Sequence, residues 1–143
     1  MSRPLRVLFL CTGNSCRSQM AEGLLRHLGG DRCQAYSAGT QPAAQVHPLA
    51  VETMRERGVD ISGHRSKDLS VFEGEEFDVL VTTCDEANEA CPYFAGARER
   101  LHWSLPDPAK ATGTDEEVRQ AFRRVADELT SRIAALLDGW GSN

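Results

Sequence analysis

Residues 5–30, LRVLFLCTGNSCRSQMAEGLLRHLGG, decide the fold. Leu5–Cys11 is a short run of Val, Leu and Phe with a single charged interruption, which predicts a strand buried on both faces of a sheet. Residues 12–18 are too polar to continue it. Met20, Ala21, Leu24, Leu25 and Leu28 then recur at helical spacing, and Gly29 and Gly30 stop the helix. Strand, loop, helix is the first half of a right-handed crossover unit.

The rest of the chain continues the alternation. Residues 33–37 predict a second strand, ended by Gly39. Pro48 stands at a good first helical position, Leu49, Val51 or Thr53, and Met54 mark a helix, and Gly58 closes it. Residues 61–76 show no clear period. Residues 77–84, FDVLVTTC, form the strongest strand signal by β-branched content and, like the first strand, end in a cysteine. Asp85–Ala90, DEANEA, reads as a short helix, and residues 102–105 are expected to be a fourth strand leading into Pro106-Asp107-Pro108. Thr114 with Glu117 makes a capping box, after which Val118, Phe122, Val125, Leu129, Ile133 and Leu136 repeat at three and four residues. The expected architecture is α/β: a single domain over residues 1–143, with a four-stranded parallel sheet and helices on both faces. In such sheets ligands gather outside the carboxyl ends of the strands, where Cys11 and Cys84 fall; on neighbouring strands, ~5 Å apart, the two sulfurs can meet.

Composition narrows the function classes. A chain of 143 residues, 41% hydrophobic and 26% charged, can bury one core without covalent staples. A net charge of -5 and a pI near 5.4 leave no basic face to release counterions from a nucleic acid. No apolar stretch is long enough to span a bilayer, and the run of residues 7–10 is too short for a secretion signal. The expected compartment is the cytoplasm, where thiols stay reduced and the five cysteines are catalytic or redox-active before they are structural bridges.

Cys11, five residues, Arg17, then Ser18 is the arrangement a tetrahedral oxyanion requires. A loop curling between strand and helix turns the backbone N–H groups of Thr12, Gly13, Asn14, Ser15, Cys16, Arg17 and Ser18 inward, the helix amino end adds its positive pole, and a guanidinium closes the ring. The same field favours a thiolate, so Cys11 is expected well below the ~8.5 of a free thiol. Gly13 allows close backbone approach, Asn14 tolerates a left-handed turn, and the Ser18 hydroxyl can bond the sulfur. Cys16 is expected to point into the core and Cys33 to be packing. His47, His64 and His102 show no partner arrangement, and core or surface roles are expected of them.

The stretch CTGNSCRSQMAEG at residues 11–23 resembles the arsenate reductases that share the low-molecular-weight protein tyrosine phosphatase fold and are recharged by thioredoxin. Tyr36-Ser37-Ala38-Gly39, Val81-Thr82-Thr83-Cys84, Cys91-Pro92, His102-Trp103 and Asp107-Pro108 follow in the same order, so the resemblance covers the whole chain. It implies arsenate as substrate, with phosphate or sulfate as competitors, no bound cofactor, external thioredoxin as reductant, and a monomer. It implies that Cys11 attacks arsenic while Asp107 protonates the departing oxygen, that Cys84 then attacks Cys11, and that Cys91 attacks Cys84. Some relatives bind potassium beside the loop at positions matching Asn14, Glu22 and Ser37; Lys67 stands where they supply a further carboxylate, and no metal is expected here. Gln19 replaces the proline usual in the phosphatases, and Ala109 the tyrosine. Two alternatives stay open: a phosphatase that uses the loop and Asp107 alone, and a non-enzymatic protein that binds arsenite or an oxyanion.

Overall fold

The computed structural model describes residues 3–90 and 94–141. Strand β1 (Leu5–Cys11) lies inside the sheet, and its alternation divides the core. Leu5, Val7 and Phe9 face one cluster, while Leu8, Leu10 and Cys11 face the other. With β2 (Cys33–Gly39), β3 (Phe77–Thr82) and β4 (Ala97–His102) it forms a four-stranded parallel sheet in the order β2-β1-β3-β4. Helices α1 (Arg17–Gly29), α2 (Pro48–Glu56) and α4 (Asp115–Gly141) cover the first face. The second face is covered by the short helix α3 (Asp85–Ala90), a 3-10 turn at Leu69–Phe72, and edge-on contacts among Tyr36, Phe72 and Phe77. The expected architecture holds, with the larger helices gathered on one side. Among the described residues no helix is long and apolar enough to cross a membrane.

The capping box forms: Glu117 N–H donates to Thr114 Oγ1 and Thr114 N–H to Glu117 Oε1, each at 3.1 Å. Phe122, Val125, Leu129 and Ile133 of α4 are buried as their spacing predicts.

The fourth strand is a correction. It runs over Ala97–His102, upstream of the expected residues 102–105. ARERLH has no apolar run because it is the sheet edge, with Arg98 and Glu99 exposed. Trp103 and Leu105 are apolar because they are buried in the core of the first face, Trp103 against Phe9. Residues 61–76, unread in the sequence, supply a strap: Gly39 N–H donates to the Lys67 carbonyl at 2.8 Å, which brings Ser66 and Lys67 against the loop after β1.

Candidate active site

Parallel pairing sets both cysteines at one end of the sheet. Leu10 is level with Thr82, Thr83 N–H donates to the Leu10 carbonyl at 2.8 Å, and Cys84 follows. Cys84 Sγ lies 3.4 Å from Thr12 Oγ1 and is buried. Cys91 lies outside the described residues.

The Cys11 sulfur accepts the Asn14 N–H at 3.1 Å and lies 2.8 Å from Ser18 Oγ. Asn14 Nδ2, which can only donate, meets the same Ser18 oxygen at 2.8 Å, which leaves the Ser18 hydrogen free for the sulfur. The amide is fixed in turn, because Asn14 Oδ1 accepts from Gln19 Nε2 at 3.0 Å and from the Lys67 N–H at 2.9 Å. Asn14 has φ 50°, the one left-handed non-glycine among the described residues. Gly39 is what lets the loop curl so closely: a side chain there would begin 2.6 Å from the Thr12 carbonyl oxygen. A side chain at Gly13 would begin 3.5 Å from the nearest protein atom, so the tight contact within the protein is at Gly39.

The amino end of α1 has no side-chain cap and no acid in its first turn. Its N–H groups are therefore left for an anion. Arg17 is anchored by Nη1 donating to the Leu105 carbonyl at 2.9 Å, and its Nη2 lies 3.8 Å from Asp107 Oδ2. Asp107 caps its own turn, accepting the Ala109 N–H at 3.0 Å. Cys11, Thr12, Gly13, Ser15, Cys16 and Arg17 line a cavity of about 270 Å³ whose rim is Asp107, Lys110 and Glu86. A larger groove of about 720 Å³ opens between Arg3, Leu136 and Trp140, where no lining residue is a nucleophile.

The expected low thiol pKa at Cys11 is not met. Burial pushes it up, against the Ser18 hydroxyl and N–H and the charge of Arg17, and the neighbouring Cys84 adds to the rise. Cys16 lines the cavity yet packs into the core, where burial pushes its thiol up to about 12. Cys33 donates to the Leu25 carbonyl at 3.3 Å and is packing, as expected.

The histidines do have partners. His47 Nδ1 accepts the Leu49 N–H at 3.0 Å to cap α2, His64 Nδ1 meets Gln19 Oε1 at 3.0 Å, and His102 bridges Thr82 and Asp85. Beside the loop, buried Glu22 accepts from Ser37 Oγ at 2.6 Å, pairs with Arg26 at 3.0 Å and has Lys67 Nζ at 3.9 Å. The carboxylate already has its cations, and Asn14 Oδ1 its donors. These residues do not fit a potassium ion.

Residues 6–140 match the family model described as low molecular weight phosphotyrosine protein phosphatase. The chain belongs to that family. Within this phosphatase family it is 49% identical to the arsenate reductase of Halalkalibacterium halodurans over 127 residues, covering 89% of this chain and 91% of that one. It is 44% identical to the arsenate reductase of Bacillus subtilis over the same shares. A solved arsenate reductase in its phosphate-binding state superposes with a TM-score of 0.77 at 31% identity, covering 94% of this chain and 98% of that one. The thioredoxin-dependent arsenate reductase of Corynebacterium glutamicum superposes with 0.73 at 31% identity, covering 97% of this chain and 63% of that one.

Of the residues the sequence singled out, the fold brings together Cys11 to Ser18, Cys84 and Asp107. It adds Gly39, Glu86 and Lys110, which sequence reasoning missed. A glycine ending a strand beside the loop was the only available signal for Gly39. Nothing in sequence marked the two rim charges.

Proposed function

We propose that this member of the phosphatase family is an arsenate reductase that passes two electrons from its thiols to arsenic. The observation that carries the reading is Cys84, buried at the end of β3 against Thr12 and beside Cys11. Phosphate-ester hydrolysis has no use for a second thiol there.

Arsenate seats on the open amino end of α1 with Arg17 across it. The raised Cys11 thiol gives its proton to the bound dianion, and the thiolate attacks arsenic while Asp107 protonates the departing oxygen. The Cys84 thiolate then attacks the Cys11 sulfur, the sulfur–arsenic bond breaks, and arsenite leaves with the electron pair. A Cys11–Cys84 disulfide remains. Cys91 next attacks Cys84 and releases Cys11, and thioredoxin reduces the Cys84–Cys91 disulfide. A thioredoxin supply implies a reducing compartment, the cytoplasm.

The test follows NADPH oxidation with thioredoxin, thioredoxin reductase and arsenate. The wild type is expected to turn over, and Cys84→Ser and Cys91→Ser to lose turnover entirely while keeping Cys11 alkylation. Asp107→Asn is expected to slow turnover by about 100-fold. A wild type that ignores arsenate but hydrolyses an aryl phosphate through Cys11 would make the protein a phosphatase.

A further inference from the structure

Cysteines seven residues apart at the two ends of a helix are ~10 Å apart along its axis, beyond the ~7 Å that a disulfide spans. Helix α3 must therefore unwind before Cys91 can reach Cys84, and the side chains that hold its two ends come from the neighbouring β3–β4 region. At its amino end Asp85 Oδ1 accepts from Ser104 Oγ at 2.9 Å and meets His102 Nε2 at 2.8 Å. The carboxylate only accepts, so Nε2 donates to it, and Nδ1 lies 2.7 Å from the Thr82 hydroxyl. At the carboxyl end Arg100 Nη2 donates to the Asn88 carbonyl at 3.1 Å and to Asn88 Oδ1 at 3.0 Å. A helix of six residues leaves its last carbonyls unpaired, and this guanidinium caps one of them.

The two ends are unequal. Both ends are charge-assisted, but Asp85 is exposed, so water competes for its bonds, whereas Arg100 is half-buried. Arg100 Nη1 is also buried with no partner among the described residues. An orphaned buried donor is unfavourable, so the wound state of α3 carries a cost at the same side chain that holds it.

We propose that Arg100, through Asn88, is the catch that keeps α3 wound until Cys11 and Cys84 are joined, and is thus a positioning residue for the second thiol exchange. The proposal rests on the three-thiol reading above. In that exchange the Cys91 thiolate attacks Cys84 Sγ, the Cys84–Cys91 bond forms, the Cys11–Cys84 bond breaks, and the electron pair leaves on Cys11 as thiolate. Nothing is oxidised overall. Letting go of Asn88 frees the carboxyl end of α3 and offers Nη1 the carbonyl acceptors it lacks while the helix is wound.

Amide hydrogen exchange of the reduced wild type, Arg100→Met and Arg100→Lys tests the catch directly. Met keeps the aliphatic stem on an edge strand, and an unchanged Cys11 alkylation rate would verify that the site is intact. Asn88→Ala removes the side-chain half of the tie from the other partner, in case the arginine variants fold poorly. Exchange over Asp85–Ala90 is expected to quicken about tenfold in the Met variant and less in the Lys variant. In single-turnover quenching the Cys84–Cys91 disulfide should appear faster by a similar factor, with formation of the Cys11–Cys84 disulfide unchanged. Equal amide exchange, or both disulfides accelerating alike, would overturn the catch. If the wild type never forms the Cys84–Cys91 disulfide while the Met variant still exchanges faster, the three-thiol reading fails and the hold on α3 survives it.

Discussion

Cys11 ends β1 and Cys84 lies two residues past the end of the neighbouring β3, and their surroundings differ in kind. Around Cys11 the polar groups answer one another in a buried ring: Asn14 donates to Ser18, Gln19 and Lys67 hold Asn14, and Gly39 lets the strap close over the loop. Beyond Cys84 the chain enters a helix of six residues tied at its ends, chiefly by side chains of the sheet edge. In the proposed relay the first sulfur attacks from within that ring, and the second receives the attack of Cys91. One fold supplies both because the loop is closed by buried long-range bonds, whereas the helix is six residues long and held by side chains at its ends.

Substitutions can break that contrast from either side. Arg17→Lys keeps the charge but loses the fork that binds the Leu105 carbonyl and faces the oxyanion. Its kcat/KM for arsenate is expected to fall by about 100-fold or more, with the circular dichroism spectrum unchanged. Gly39→Ala drives a methyl group into the Thr12 carbonyl, and urea denaturation should report a loss of about 1–3 kcal/mol. An unchanged midpoint would mean that the loop is looser than its hydrogen bonds indicate.

Ser18→Ala removes a donor aimed at the Cys11 sulfur, and iodoacetamide labelling at neutral pH should slow about tenfold. The sign in the wild type follows from the raised thiol. The protonated form dominates below its pKa, so labelling should climb with pH through the neutral range, and a plateau already reached below pH 7 would contradict the burial described here. Thr12→Val sharpens the comparison, since it strips the hydroxyl that lies 3.4 Å from Cys84 Sγ while leaving the Cys11 ring in place. Formation of the first disulfide should slow by only about threefold, with Cys11 labelling unaffected.

Local pattern accounts for what the sequence revealed. β1, the loop, α1 and α4 were legible because their apolar periods are set by burial against the sheet, and Cys11, Arg17 and Ser18 lie within one continuous segment. β4 was misplaced because an edge strand is charged, while Trp103 and Leu105 beyond it are apolar for a different reason, their burial in the core of the first face. Residues 61–76 were opaque because the strap is held by long-range polar bonds, Gly39 to the Lys67 carbonyl, Lys67 and Ser66 to Asn14, and not by an apolar period. The thiol expectation failed at Cys11 because a loop motif reports the donors around a sulfur and not how deeply the fold sinks it. Arg100 reads as one more charge in ARERLH until its partner Asn88 is in view.

That same charged edge bears on the company the molecule keeps. A strand whose ladder is open on one side is a template for another chain, and oxidation is the moment at which the helix beside it would let go. Arg98 and Glu99 stand exposed along β4, so an intruding strand would have to strip water from both. If α3 opens as proposed, the charges that hid this strand from view are the ones that keep its open ladder from recruiting a second chain.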